Sequence, residues 1–432
     1  MKKQFIFILC GLFLCAGTIA ATDYNVLQQG AVGDGKTLNT KSLQSAIDAL
    51  HAKGGGQLYF PAGRYLTGSL QLKSNVTLYL EKEAVLLGST SPYDYPGFST
   101  EKELKVNNDH FDQALIYAEG AENIGITGEG CIDGQGRELA LTIDSLHHTG
   151  ELVDKHYNTY RKRPNTRPKL LFMRNCRKVE LRKTNFRSGA AWGLSFSLCV
   201  DLTIDSLHVE NRAYWNNDGI DISDCKDVRI SNCFINSADD GICLKSHNRG
   251  AWNDRVSISN CHIISSASAI KFGTESLGGF KNVTIDNIRI KDTFRSAIAI
   301  ESVDGAEIEN VKLENIEIVC PGRATRGMAY MSVSRLKDVP ENEKGYPEFT
   351  MFEELPSWGF YVRHVKGIQM HNVKLRLQED DFRPAFVFDR VSDVRLSDIS
   401  LPENKKAGQV VLRQISLQSA DNAVKEYVRE VE

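Results

Sequence analysis

Beyond residue 21 the chain has no apolar run long enough to cross a bilayer, and no close cysteine pair faces a matching pair at zinc-finger spacing. Neither charge is in surplus: 52 Lys and Arg stand against 55 Asp and Glu, a net charge of −3. That balance excludes the basic surface that nucleic acids select, so no nucleic-acid partner is expected. Nothing in the residue pattern asks for a cofactor or a metal. Helical 3.6-residue periodicity is missing from most of the chain too, which excludes leucine-rich and ankyrin-like arrays.

The first residues differ from the rest. Lys2 and Lys3 precede an apolar stretch over residues 5–16, and small residues follow through Ala21. A charged start, a short apolar core and a small-residue zone are the parts of a secretory signal peptide. The competing reading is a membrane anchor, but no stop-transfer pattern follows. The expectation is a signal peptide at 1–21 and a secreted or periplasmic, monomeric protein with one domain over 22–432. Cys10 and Cys15 fall in the apolar stretch, and the bulky Leu14 argues against lipoprotein processing.

What the remainder has is a repeat. A polar residue, often Asn or Asp, is followed by an alternating β-branched run: NCRKVELRKTNF from Asn175, LCVDLTIDSLHV from Leu198, DCKDVRISNCFI from Asp224 and GFKNVTIDNIRI from Gly279. Related phrases start at Ser74, Ala121, Asn253, Asp304, His364 and Arg390. Most gaps are about 23–28 residues, a solenoid period. Period-2 alternation rich in Val, Ile and Thr marks each unit as strand. Short strands without interposed helices predict an all-β, single-stranded right-handed parallel β-helix. A helical segment from Thr40 to His51 is expected to cap its N-terminal end. Two long gaps, one after Ile124 and one after Ile308, are expected to form loops on one face. Cys176, Cys199 and Cys225 recur at one place in successive units, as do Cys233 and Cys261, which predicts buried ladders of thiols.

The repeat also aligns the chain with itself. Gly219-Ile220-Asp221-Ile222 matches Gly241-Ile242-Cys243-Leu244, then Ala269-Ile270-Lys271-Phe272 and Ala297-Ile298-Ala299-Ile300, with Gly193-Leu194-Ser195-Phe196 one coil earlier. The second and fourth residues are apolar and point inward; the third points out. Just before each quartet runs the column Trp192, Asp218, Asp240, Ser268, Ser296, and one place earlier the column Ala191, Asn217, Asp239, Ala267, Arg295. Coils lie about 4.8 Å apart, so Asp218, Asp239 and Asp240 converge. Crowded carboxylates split their affinities for protons, and glycoside hydrolysis needs one protonated and one ionised carboxyl. Calcium binding and a turn ladder of Asn and Asp are the other uses of such a cluster.

These residues resemble glycoside hydrolase family 28, the polygalacturonase and rhamnogalacturonan hydrolase family. The segment NNDGIDISDCKDVRISNCFINSADDGICLKS carries the most specific part, and NVLQQGAVGDGKTLNTKSLQSAIDAL resembles the family's N-terminal region. The resemblance implies an inverting hydrolase of a pectic polysaccharide or oligosaccharide. It implies that Asp240 is the general acid, that Asp218 and Asp239 activate the water, and that Asn216 and Lys245 bind substrate.

Two departures bear on specificity. The family's Gly-His-Gly element aligns with Ala267-Ser268-Ala269, so its histidine is absent. Its Arg-Ile-Lys element aligns with Ala299-Ile300-Glu301, which places an acid where a cation binds a uronate. Lys271 is a candidate for a displaced cation, or else a solvated lysine; Trp192 is a further substrate-binding candidate. His247, His147, His148 and His156 are candidates to replace the missing histidine. The expectation is a substrate other than plain polygalacturonan, cut terminally or as short fragments. The rival readings are a β-helix polysaccharide lyase and a non-catalytic carbohydrate-binding β-helix.

Overall fold

In the computed structural model the described residues are 22–97, 113–152, 167–302, 305–325, 327, 336–338, 355–404, 409–415, 417–420 and 428–430. Their strands are joined coil to coil in parallel, each pairing with the equivalent strand one turn of the chain later. This is the right-handed parallel β-helix. The residues proposed for a signal peptide lie outside the described residues. Among the described residues no helix is long and apolar enough to cross a membrane.

The quartets stack in the register their alignment predicts. Leu194 sits over Ile220, then Ile242, Ile270 and Ile298. One pleat further, Phe196, Ile222, Leu244, Phe272 and Ile300 form a second inner column. All ten side chains are buried, and with the inner columns of the other faces they form one core along the solenoid. Burial of such side chains contributes roughly 1.5–3 kcal/mol each.

The recurring Asn and Asp are corner residues. Asn75, Asn123, Asn260, Asn282, Asn310 and Asn315 take φ between 52° and 65°, the left-handed conformation Asn tolerates best after glycine. Their amides bond from coil to coil, as from Asn310 Nδ2 to Asn282 Oδ1 at 3.2 Å and from Asn123 Nδ2 to Asn75 Oδ1 at 3.1 Å. The cysteines also stack as expected. Cys176, Cys199, Cys225, Cys233 and Cys261 are buried free thiols, and the Cys199 amide donates to Cys225 Sγ at 3.3 Å.

Helix α1 (Thr40–Ala52) buries Leu43, Ala46, Ile47 and Leu50 against the first coils, as the capping segment requires. The first long gap holds a second helix, α2 (Gly136–His148), where the sequence pattern suggested only a loop. Leu139, Ala140 and Ile143 provide its buried face, a spacing of one and four residues that a single short window hides. The second gap contributes Leu336 and Leu355. They pack with Ala299, Tyr361, Val387 and Val411 in an apolar cluster on the outer face of the sheet that carries the quartets.

Ile230 lies between Ile204 and Ile258 in an inner column. Ile230→Ala is expected to lower stability by about 2–5 kcal/mol, read as a lower urea midpoint with an unchanged slope. An unaltered midpoint would mean that this stack is not what holds the coils together.

Candidate active site

The strands Ile220–Ser223, Ile242–Ser246 and Ile270–Ser276 form the floor of the site. Their outward residues are Asp221, Cys243 and Lys271 in one column, in register across the coils. The residues just before the quartets are held by backbone bonds: Gly219 N–H donates to Asp240 O and Gly241 N–H to Ser268 O, at 2.9 and 2.8 Å. Small residues are required at these steps. A Cβ on Gly241 would lie 2.5 Å from Ala269 O and 2.6 Å from Ile263 Cγ2. That close approach fixes Asp218 and Asp240 on adjacent coils, with Asp239 beside Asp240.

The carboxylates have different surroundings. Asp240 is buried; Lys271 Nζ stands 3.3 Å from its Oδ2, and the Ser268 amide donates to its Oδ1 at 3.1 Å. Asp218 is buried beside Lys245, whose Nζ lies 3.7 Å from its Oδ2. Burial, then the nearby charges of Asp221 and Asp239, push the Asp218 carboxyl well above the usual carboxylate range, with Lys245 opposing. Asp221 is buried 3.6 Å from the same lysine, and its carboxyl is raised to about 6, chiefly by burial. Asp239 alone of the three expected catalytic aspartates is only half-buried; its Oδ1 accepts the Asp240 amide at 3.1 Å.

The other expected site residues divide. Lys245 is in the cluster, and its Nζ also lies 4.8 Å from the Trp192 ring, which the Lys169 ammonium approaches to 4.7 Å. Lys271 is not a solvated lysine: it is fully buried and ion-paired with Asp240. Asn216 supports the loop before Asp218, its Oδ1 accepting from Arg167 Nη2 at 3.1 Å. Glu301 is buried and stands in register with the equally buried Arg363 on the next coil. His247 Nδ1 lies 3.7 Å from Glu275, and burial lowers its proton affinity. His147 and His148 sit at the far end of α2. His156 lies outside the described residues. Among the described residues no group of three His, Cys, Asp or Glu side chains has a metal-holding arrangement.

Sequence reasoning places Asp221 on the outer face without a role, and it misses Arg363 and Arg167. Asp221 was within reach, since its quartet neighbours Cys243 and Lys271 mark the same floor. Arg363 was not, because a long insertion hides which residue follows Glu301 in register.

Asp221 gives the site a pH signature. An unfolded aspartate titrates near 3.9, so between about 4 and 6 the folded chain holds the extra proton and loses stability as pH rises. Asp221→Asn removes that loss. Urea unfolding at pH 4 and pH 7 should show the variant gaining on the parent protein only at pH 7. An equal difference at both values would contradict a raised Asp221.

The chain has counterparts among known proteins. The sequence profile of the glycosyl hydrolases family 28 matches residues 56–320. A "probable polygalacturonase" of Vitis vinifera is 30% identical over 321 residues, covering 70% of this chain and 60% of that protein. The exo-poly-alpha-D-galacturonosidase of Dickeya chrysanthemi is 28% identical over 248 residues, covering 50% of this chain and 41% of its own. The chain thus spans about 40–60% of the length of these two curated relatives. The family 28 exopolygalacturonase structure of Yersinia enterocolitica shares the fold, with a TM-score of 0.65, 20% identity, and coverage of 92% of this chain and 78% of that one. By the extent of the profile match, this chain is a member of the glycosyl hydrolases family 28.

Proposed function

We propose that the protein is an exported, inverting glycoside hydrolase that cleaves a pectic glycan with Asp218, Asp239 and Asp240. The observation that carries this is the stacking of those three carboxyls on two adjacent coils in unlike environments. Inversion requires room for a water between acid and base, and inverting pairs stand roughly 6.5–9.5 Å apart.

The surroundings of each carboxyl bear on which one is the acid. The resemblance assigns that role to Asp240. Yet a lysine ammonium and a peptide N–H meet its two oxygens, contacts that complement an acceptor. We therefore assign Asp240 to take the proton of the attacking water, with Asp218 beside it. Asp239, the half-buried member, is the one placed to reach a leaving oxygen. Both Asp239→Asn and Asp240→Asn should lose about 10²–10⁴ in turnover. A glycoside with a good leaving group should restore only the variant that lacks the acid. Rescue of Asp240→Asn instead would return the acid role to Asp240.

Electrostatics supports a substrate other than plain polygalacturonan. Lys245 faces Asp218 and Asp221, and Lys271 faces Asp240. Arg363 stands in register between Glu301 and Asp389, and Arg413 bonds to Asp389 at 2.8 Å. Each of these cations already has a carboxylate of the protein beside it. A charged hydrogen bond to a substrate carboxylate is worth about 1.5–3 kcal/mol, and each of these four would have to leave a protein carboxylate to make one. The outer column beyond Lys271 turns apolar at Ala299 and is covered by Leu336 and Leu355, which favours terminal cuts over mid-chain ones. Initial rates on rhamnogalacturonan oligosaccharides are expected to exceed those on polygalacturonan by about ten- to hundredfold. The reverse order would refute the substrate assignment. Proton NMR of the first product should show an inverted anomeric centre, and unsaturated, ultraviolet-absorbing ends would indicate a lyase.

A further inference from the structure

The turns that lead into the floor strands are of unequal length. Asn211, Ser237 and Ser265 are equivalent in successive coils, and Asp292 follows one coil later. From Asn211 to Asn217 the chain inserts residues 212–216; from Ser237 to Asp239 it inserts only Ala238, and from Ser265 to Ala267 only Ser266. Between Asp292 and Arg295 stand Thr293 and Phe294. The turns that lead to Asp239 and to Ala267 are therefore the shortest, with a longer turn on the coil before and on the coil after.

Each longer turn presents an exposed aromatic ring. Trp215 is 62% exposed and Phe294 is 55% exposed. A lone exposed aromatic is ordinary, but these two are held alike from beneath. Buried Arg167 donates from Nη1 to the Trp215 carbonyl at 2.6 Å and to the Ala190 carbonyl at 2.5 Å, and its guanidinium lies 5.1 Å from the Tyr214 ring. Buried Arg383 donates from Nη1 to the Phe294 carbonyl at 3.1 Å while its Nε and Nη2 bind Asp381 at 3.0 and 2.9 Å. A buried arginine thus fixes the backbone under each ring, although the rings themselves gain little burial from folding. A pre-held ring loses little conformational freedom when something stacks on it.

We infer that Trp215 and Phe294 are stacking platforms for sugar rings in a saccharide groove that also holds Asp218, Asp239 and Asp240. The inference rests on the reading of those carboxylates as a glycan site. Three coils separate the platforms, about 14 Å at the coil spacing, so the occupant is an oligosaccharide rather than a single sugar. Stacking uses the C–H face that neutral and acidic sugars share. It therefore suits a groove in which Lys245 and Lys271 already face the protein's own carboxylates.

Binding is measured by calorimetry on the Asp240→Asn protein, with rhamnogalacturonan and galacturonan oligosaccharides of increasing length. Adding Trp215→Ala or Phe294→Ala should weaken binding of long oligosaccharides by about three- to thirtyfold, while a disaccharide responds to one platform at most. Trp215→Tyr and Phe294→Tyr should restore most of the loss, and the melting temperature should not move, since both rings are exposed. Unchanged affinity in both alanine variants would overturn the inference, as would failure of every oligosaccharide to bind. Turnover of the parent protein on the same glycans is scored separately. Turnover with no alanine effect removes the platforms alone, and a length-dependent alanine effect without turnover removes only the hydrolase reading.

Discussion

Vertical register between coils is the constraint from which the rest of the structure follows. Each strand bonds to its equivalent one turn later, so a residue's neighbours above and below are set by its place in the repeat. The inner columns use this to close-pack Ile, Leu and Phe without gaps. The corners use it to join asparagine amides in ladders. On the outer face the same register puts Asp218 one coil before Asp240, and burial with the nearby acids holds the Asp218 carboxyl well above the usual carboxylate range.

That crowding has to be compensated, and the compensation comes from the same columns. Lys245 stands between Asp218 and Asp221, and Lys271 reaches Asp240 from the following coil. Further along, Glu301, Arg363, Asp389 and Arg413 alternate in sign down one buried column. A lysine in place of a neutral residue at Lys271, or an acid in place of a cation at Glu301, would be costly alone and is tolerated because the partner is one coil away. Among the described residues, the cations of these columns thus already face carboxylates of the protein.

Much of this was legible in the sequence because a solenoid converts sequence spacing into spatial contact. The four-residue quartets, the aspartate columns, the cysteine ladders and the capping helix over Thr40–Ala52 were all readable from spacing and alternation. What stayed hidden has one cause: wherever an insertion interrupts the period, the alignment loses its next row. Helix α2 lies in the first such gap. Arg363 follows the second, so its position opposite Glu301 could not be foreseen, and Glu301 looked like a bare acid in the cleft. Arg167 was hidden for a different reason. Its partners are backbone carbonyls of Ala190 and Trp215, which leave no mark in side-chain patterns. The burial of Lys271 was missed because outward-pointing was equated with solvent-facing, whereas the outer face of these coils is covered.

The stacked aspartates are proposed to direct water onto a glycosidic bond. Cleavage of a rhamnogalacturonan oligosaccharide in water enriched in heavy oxygen, followed by mass spectrometry of the fragments, tests it most directly. One heavy oxygen atom at each newly formed reducing end, with no unsaturated fragment, is the predicted result. Unlabelled fragments carrying a double bond, or an oligosaccharide left intact by a protein that binds it, would contradict the account.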